Sequence, residues 1–332
     1  MSVVDPVTVG QRAGGLGIGQ RQRAGGLGMG QRGLGLVAAF LTAVVLASCG
    51  GPGTNPTPPT GGGNGGGQQQ PPQNNPPVIN AITTQGLRQG QPSGLADLAE
   101  SISVTASVQD DETAIDQLQF AWSAPVGTFT GTGKSVTWQA PAAAATPVDV
   151  PITLVVTERY GNSGGPTFEH TVTKIATVSL HNSSREVGDM ARQFLVDFSD
   201  SNIKDVTSIM RNFSDATPAC HSGKVAETND VSDNRVNYHI DQFSVGQASV
   251  TTRFGGICPN RNRRGDACAL VDVDWRSTRL TDDPVTGAKK GDKEHVAGVD
   301  QVTAIYIPDQ KKWGLCESDF IGHLAFGSKF IR

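Results

Sequence analysis

Five cysteines are the residues of this chain whose chemistry depends most on position. Cys49 follows the strongly apolar run that ends "VLAS" and precedes a stretch rich in glycine. The other four, Cys220, Cys258, Cys268 and Cys316, all fall between residues 183 and 332. An even number of thiols in an exported chain points to disulfides, and four thiols allow three connectivities. Cys258 and Cys268 flank "PNRNRRGDA" between two expected antiparallel strands, where a bridge could close a hairpin, which leaves Cys220 with Cys316. Zinc is the weaker assignment, because the chain has no C-x-x-C pair and His221 adjoins Cys220 instead of standing at ligand spacing.

Acid–base chemistry has candidates in the same region: Tyr238, His239, Asp241, Asp272, Asp274 and Arg276. In "ACALVDVDWRS" the residues Ala269, Val271, Val273 and Trp275 share one face of a strand, and Asp272, Asp274 and Arg276 share the other. The simpler assignment for such a charged row is a solvated face. Asp110, Asp111, Glu112 and Asp116 cluster before "LQFAW" but lack the alternating spacing that aims several oxygens at Ca²⁺, so a solvated turn is expected. Arg264-Gly265-Asp266 spells a tripeptide that resembles integrin-binding sites, a match short enough to arise by chance. Arg261, Arg263 and Arg264 read more simply as a basic loop tip able to touch anionic lipid or polysaccharide. No nucleophile motif, phosphate loop or cofactor-binding pattern is evident.

The elements that must position these residues fall into four regions. Residues 1–48 contain a tandem repeat, "QRAGGLGIGQR" at 11–21 and "QRAGGLGMGQR" at 22–32, too rich in glycine to form a core. Initiation at Met29 would give a short positive start, an apolar stretch from Leu34 to Leu46 and small residues, the plan of a secretory signal. That stretch is short for a permanent span, which needs about 20 apolar residues. Residues 49–77 are a Gly, Pro and Gln tether without core-forming side chains.

Residues 78–182 switch to period two. Ile102, Val104, Ala106 and Val108, then Leu118, Phe120 and Trp122, then Ile152, Leu154 and Val156, then Val172, Ala176, Val178 and Leu180 mark strands with one buried face. Several short strands between Gly, Pro and Asp turns indicate a β-sandwich. Trp122 and Trp138 are expected in its core. From 183 to 332 the pattern is α+β: a capping box at Ser183 and Glu186 opens a helix with Val187, Met190, Ala191, Phe194, Leu195 and Phe198 on one face. A second helix is expected at about 202–213, and strands at roughly 236–244, 247–255, 267–279, 299–307 and 311–318.

Three family resemblances attach to these residues. Leu46-Ala47-Ser48-Cys49 resembles the lipobox of bacterial lipoproteins. The resemblance implies cleavage before Cys49, diacylation of its sulfur and a membrane partner held through that lipid. Gly50 after it is similar to the default signal for the outer membrane, which implies a cell-envelope location. "SVTASVQDDETAIDQLQFAWSA", "GTFTGTGKSVTWQAP" and "ITLVVTERYGNSG" resemble PKD-like and cadherin-like immunoglobulin-fold modules. Two helices leading into a curved antiparallel sheet resemble the NTF2-like cone, in whose enzymes an Asp, His or Tyr inside the cone acts as acid or base.

Charge limits the functions available. Residues 1–48 hold Arg12, Arg21, Arg23 and Arg32 against Asp5, a net +3, so of the chain's −4 the remainder carries −7. A mildly acidic body lacks the footprint of a nucleic-acid binder. The reading that follows is a non-enzymatic, membrane-anchored envelope lipoprotein that recognises a protein or polysaccharide, without a cofactor. The alternative is a tethered enzyme with an acid–base site inside the cone.

Overall fold

The computed structural model describes residues 73–259 and 262–321. Cys49, the repeat, the expected signal and most of the tether lie outside the described residues, as does Arg261. Among the described residues no helix is long and apolar enough to cross a membrane.

Alternation of apolar and polar residues builds two four-stranded sheets first. One has the order β1-β3-β6-β5 and the other β2-β8-β7-β4. Their strands are β1 (Val78–Gly86), β2 (Leu95–Asp97), β3 (Ser101–Gln109), β4 (Gln119–Ser123), β5 (Thr128–Thr130), β6 (Ser135–Gln139), β7 (Val148–Gly161) and β8 (Thr167–His181). The inner faces meet in a shared core: Ile102, Val104, Val136 and Trp138 from one sheet pack with Val150, Ile152, Val178 and Leu180 from the other. Trp138 is fully buried, with its indole N–H donated to the Val126 carbonyl at 3.1 Å. Trp122 packs at the edge and donates to the Gly133 carbonyl at 3.0 Å, so both rings have a partner for their one polar atom. In the acidic turn Asp110 accepts the backbone N–H groups of Glu112 and Thr113, at 3.0 and 2.6 Å.

β8 then passes into α1 (Ser183–Ser199) with only Asn182 between them. Asn182, not Ser183, is the N-cap: its side chain accepts from the Arg185 N–H, while Glu186 accepts from the Asn182 N–H at 2.9 Å. Ser183 is freed for a different task. Its N–H and hydroxyl both donate to Asp97 of β2, at 2.8 and 2.7 Å. Arg88 reinforces this joint, pairing with Asp97 and Glu100 while its guanidinium lies 5.0 Å from the Phe254 ring centre. Leu95 of β2 belongs to the core of the following helices and sheet.

That second core lies between α1, α2 (Val206–Ile209), α3 (Pro218–Asn237) and an antiparallel meander of order β12-β11-β10-β9. Its strands are β9 (Tyr238–Ile257), β10 (Arg264–Arg279), β11 (Lys293–Ile307) and β12 (Lys312–Ile321). Val187, Ala191, Phe194 and Leu195 of α1 pack on Val271, Val273, Val302 and Leu315.

Three elements differ from the sequence expectation. The helix expected at 202–213 is one turn long, because Asp205 caps it late and the chain at 212–214 turns to pair with Leu315 of β12. Two strands expected at 236–244 and 247–255 form one, β9, whose register shifts where Ala248 and Val245 face Val271 and Val273. A bulge there bends a strand without ending it. α3, a 20-residue helix, was not expected at all.

Candidate functional site

The site grows out of α3. Thr217 caps the helix by accepting the Cys220 N–H at 3.2 Å, and Pro218 occupies the first turn, where a missing N–H costs nothing. Apolar residues are sparse along it, and a covalent bond holds it instead: Cys220 is joined to Cys316 of β12. Three residues on, Gly223 allows contact with the strand backbone. A Cβ there would lie 2.4 Å from the Cys316 carbonyl oxygen, so no other residue fits without displacement. The second disulfide joins Cys258, just past β9, to Cys268 of β10.

Cys220, Gly223, Glu227, Val231 and Asn234 recur at helical spacing and so share one face of α3. Glu227 thereby takes a position that an apolar residue would normally hold. It lines a cavity of about 530 Å³ enclosed by α1, α3 and the sheet. One wall is aromatic. Phe194 and Phe198 of α1, Trp275 of β10 and Phe320 of β12 line it, with ring centres 6.2 Å apart for Phe194–Phe198, 5.6 Å for Phe198–Trp275 and 5.5 Å for Trp275–Phe320. Trp275 is oriented by donating its indole N–H to Ser199 at 2.5 Å.

An acidic wall is formed by Glu227 and Asp230 of α3 and by Asp300 of β11, which stands beside Phe320 in the sheet. Burial pushes Glu227 up to about 8, and the charges of Asp300, Asp230 and Asp319 add to it against one backbone N–H from Ser318. Burial also raises Asp300 to about 6, against the lowering effect of the Ser318 hydroxyl bonded at 2.5 Å. Asp300 is 4 % exposed. Neighbouring cations are already committed. Arg263 pairs with Asp319 at 2.9 Å and Glu317 at 3.1 Å, and Arg279 pairs with Glu294 at 3.2 Å and bonds the Tyr238 hydroxyl. Among the described residues Glu227, Asp230 and Asp300 have no ion-pair partner.

Of the sequence candidates for acid–base work, Tyr238 alone lines this cavity. Asp272, Arg276 and His239 are exposed. Asp241 bonds the Thr278 hydroxyl and Lys293 at the surface, and half-exposed Asp274 meets His295 at 3.0 Å. The charged row of β10 is therefore the outer face of the sheet, and Val271, Val273 and Trp275 are its inner one. Sequence reasoning missed Glu227, Asp230, Asn234 and Asp300. A signal existed for Asp300, which shares strand parity with Val302, Ala304 and Tyr306 and so had to point inward.

The loop tip also differs from expectation. Arg263 turns inward to Asp319 and is not part of a free basic tip. Asp266 of the Arg-Gly-Asp tripeptide lies in β10, where its carboxylate accepts the N–H groups of Gly255 and Tyr306 at 2.7 and 2.9 Å. No protein-family model, curated protein or solved structure matches this chain.

Proposed function

We propose that this chain is a lipid-anchored protein of the cell envelope, acylated at Cys49 and held by a tether of residues 49–77, that binds a small molecule. In this reading the two sheets of β1–β8 are an immunoglobulin-like, PKD-like spacer, and the body from α1 to β12 is an NTF2-like cone. The lipobox residues Leu46 to Cys49 support the anchor, with the outer membrane as its destination. The observation that carries the binding function is the cavity of about 530 Å³, which is within the range of small-molecule sites and joins an apolar wall to convergent polar groups.

Nile red, a neutral dye whose emission shifts to the blue in apolar surroundings, tests the cavity. The mature protein is expected to shift it, and Val296→Trp, which fills the cavity, to abolish the shift. Dye that stays unshifted, or shifts equally with the variant, overturns the reading. For the anchor, intact mass of the mature protein should show loss of residues 1–48 and an acyl increment on Cys49; retention of residues 1–48 defeats it.

A second reading draws on the protonation states of the acidic wall. Glu227 holds its proton to about 8 while Asp300 releases its own at about 6, an arrangement suited to general acid and general base. Recovery of a bound ligand in chemically altered form would select this reading over simple binding.

A further inference from the structure

We infer that the ligand of this cavity is an organic cation, an alkylammonium group on a compact apolar body. The inference rests on the binding function proposed above and adds the charge of what is bound.

The lining offers acceptors and π faces, and among the described residues no Lys, Arg or His side chain is part of it. Aromatic faces attract a cation through their quadrupole, and desolvation strengthens that attraction. Phe198 already does this for the Arg235 guanidinium, 5.9 Å from its ring centre. Trp275 of β10 and Phe320 of β12, on either side of β11, line the same cavity with ring centres 5.5 Å apart.

Glu227 and Asp230 of α3, and Asp300 of β11 beside Phe320, bring carboxyl groups to the cavity that have no ion-pair partner among the described residues. Nearby Arg263 is paired with Asp319 and Glu317, and Arg279 with Glu294 at one end of the cavity. A further acceptor is Asn234, whose Oδ1 is shut off from solvent and has no hydrogen-bond donor. An anionic ligand would meet repulsion from the ionised carboxylates and find no cation among the described lining residues. A neutral ligand without a donor would leave the buried Asn234 Oδ1 unmet, which is costly. An ammonium ion satisfies both walls together.

Binding should also displace a proton. The groups facing Glu227 are Asp230 on α3, Asp300 on β11, and Asp319 and Glu317 on β12 with Arg263 between them; Tyr238, Arg279 and Glu294 stand at the other end of the cavity. A cation among them favours ionised Glu227, so affinity should rise between pH 6 and pH 9.

The test uses three probes of similar shape on the intact mature protein: choline, its neutral isostere 3,3-dimethyl-1-butanol, and 3,3-dimethylbutyrate. Titration calorimetry at pH 8 should give choline at least tenfold tighter than the alcohol and no binding of the acid. Repeating the choline titration in phosphate and in Tris should reveal proton release. Glu227→Gln should erase the preference and the proton release, and Asp300→Asn the preference alone. Equal binding of choline and the alcohol overturns the inference and leaves the cavity reading standing. So does Nile red binding with none of the three probes bound. If neither dye nor probe binds, both fall.

Discussion

The Ser183 hydroxyl stands between two cores, donating to Asp97 of β2 at 2.7 Å and accepting the Trp313 indole N–H of β12 at 3.2 Å. Each partner is buried or nearly so, and each belongs to a different sheet. Around this atom His181 meets Tyr306 edge to face at 5.3 Å, and Leu95 enters the core of the helical body. The sheets of β1–β8 and the body that follows are thus joined by packing as well as by chain.

Ser183→Ala should therefore do more than remove a surface hydroxyl. It leaves the Trp313 N–H without an acceptor and Asp97 with fewer donors, a loss of roughly 1–3 kcal/mol. Urea denaturation followed by tryptophan emission should show one transition for the unaltered protein and a lower midpoint for the variant. An unchanged midpoint would mean that the joint contributes nothing to stability.

Acid should weaken the same joint through Glu186. Burial alone would raise its carboxyl, but the His181 ring at 2.7 Å and the Asn182 N–H outweigh burial and hold it below its ordinary 4.5. A depressed native value contributes stability that is present above about pH 4.5 and is lost as pH falls through the native value. Melting temperatures of the unaltered protein and Glu186→Gln should differ at pH 7 and converge once the pH falls below the depressed native value.

Glu227 has the opposite sign. Its native value near 8 lies above the unfolded 4.5, so the folded state holds a proton that the unfolded state has released. Stability from this group is full below pH 4.5 and declines as pH rises to about 8. Glu227→Gln should flatten that decline and stabilise the protein by about 1–3 kcal/mol at pH 8. Denaturant titrations at pH 5 and pH 8 check it; a variant no more stable than its parent at pH 8 defeats the assignment.

Gly223→Ala places a methyl against the Cys316 carbonyl and the Glu317 side chain, at 2.4 and 2.3 Å before relaxation. Overpacking of this kind costs about 1–3 kcal/mol. Because the displaced helix carries Glu227, the variant should also lose cavity binding, read as loss of the Nile red shift. Retained binding would show that α3 is placed by other contacts.

The double variant Cys220→Ser, Cys316→Ser should be destabilised by about 2–5 kcal/mol, because this bridge closes a loop 96 residues long. The bridge between Cys258 and Cys268 closes only 10 and should matter less. Paired thermal melts with and without reductant compare them; equal losses would contradict the loop-length argument.

What could be read from sequence depended on whether apolar patterning marked the element. β3, β6, β7 and β8 alternate clearly because each buries one face, and α1 carries Val187, Ala191, Phe194 and Leu195 in register. α3 does not: its buried positions include Cys220, Gly223 and Val231, and its fixed end is tied by sulfur. Thr217 and Pro218 were the available signs of its start. Missing the helix hid Glu227, and with it the acidic wall. The row Asp272, Asp274 and Arg276 was visible as a pattern, but parity could not say which side was the cavity until Trp275 was seen to line it.

The bridge from α3 to the last strand also sets an order of events. Cys316 is made 96 residues after Cys220, so the helix bearing Glu227 waits for β12 before it can be fastened. During synthesis the sheets of β1–β8 can mature while this chamber is still open. Its acid wall closes only when β12 arrives and the surroundings are oxidising enough to join two thiols, which makes the closed chamber a late product of folding.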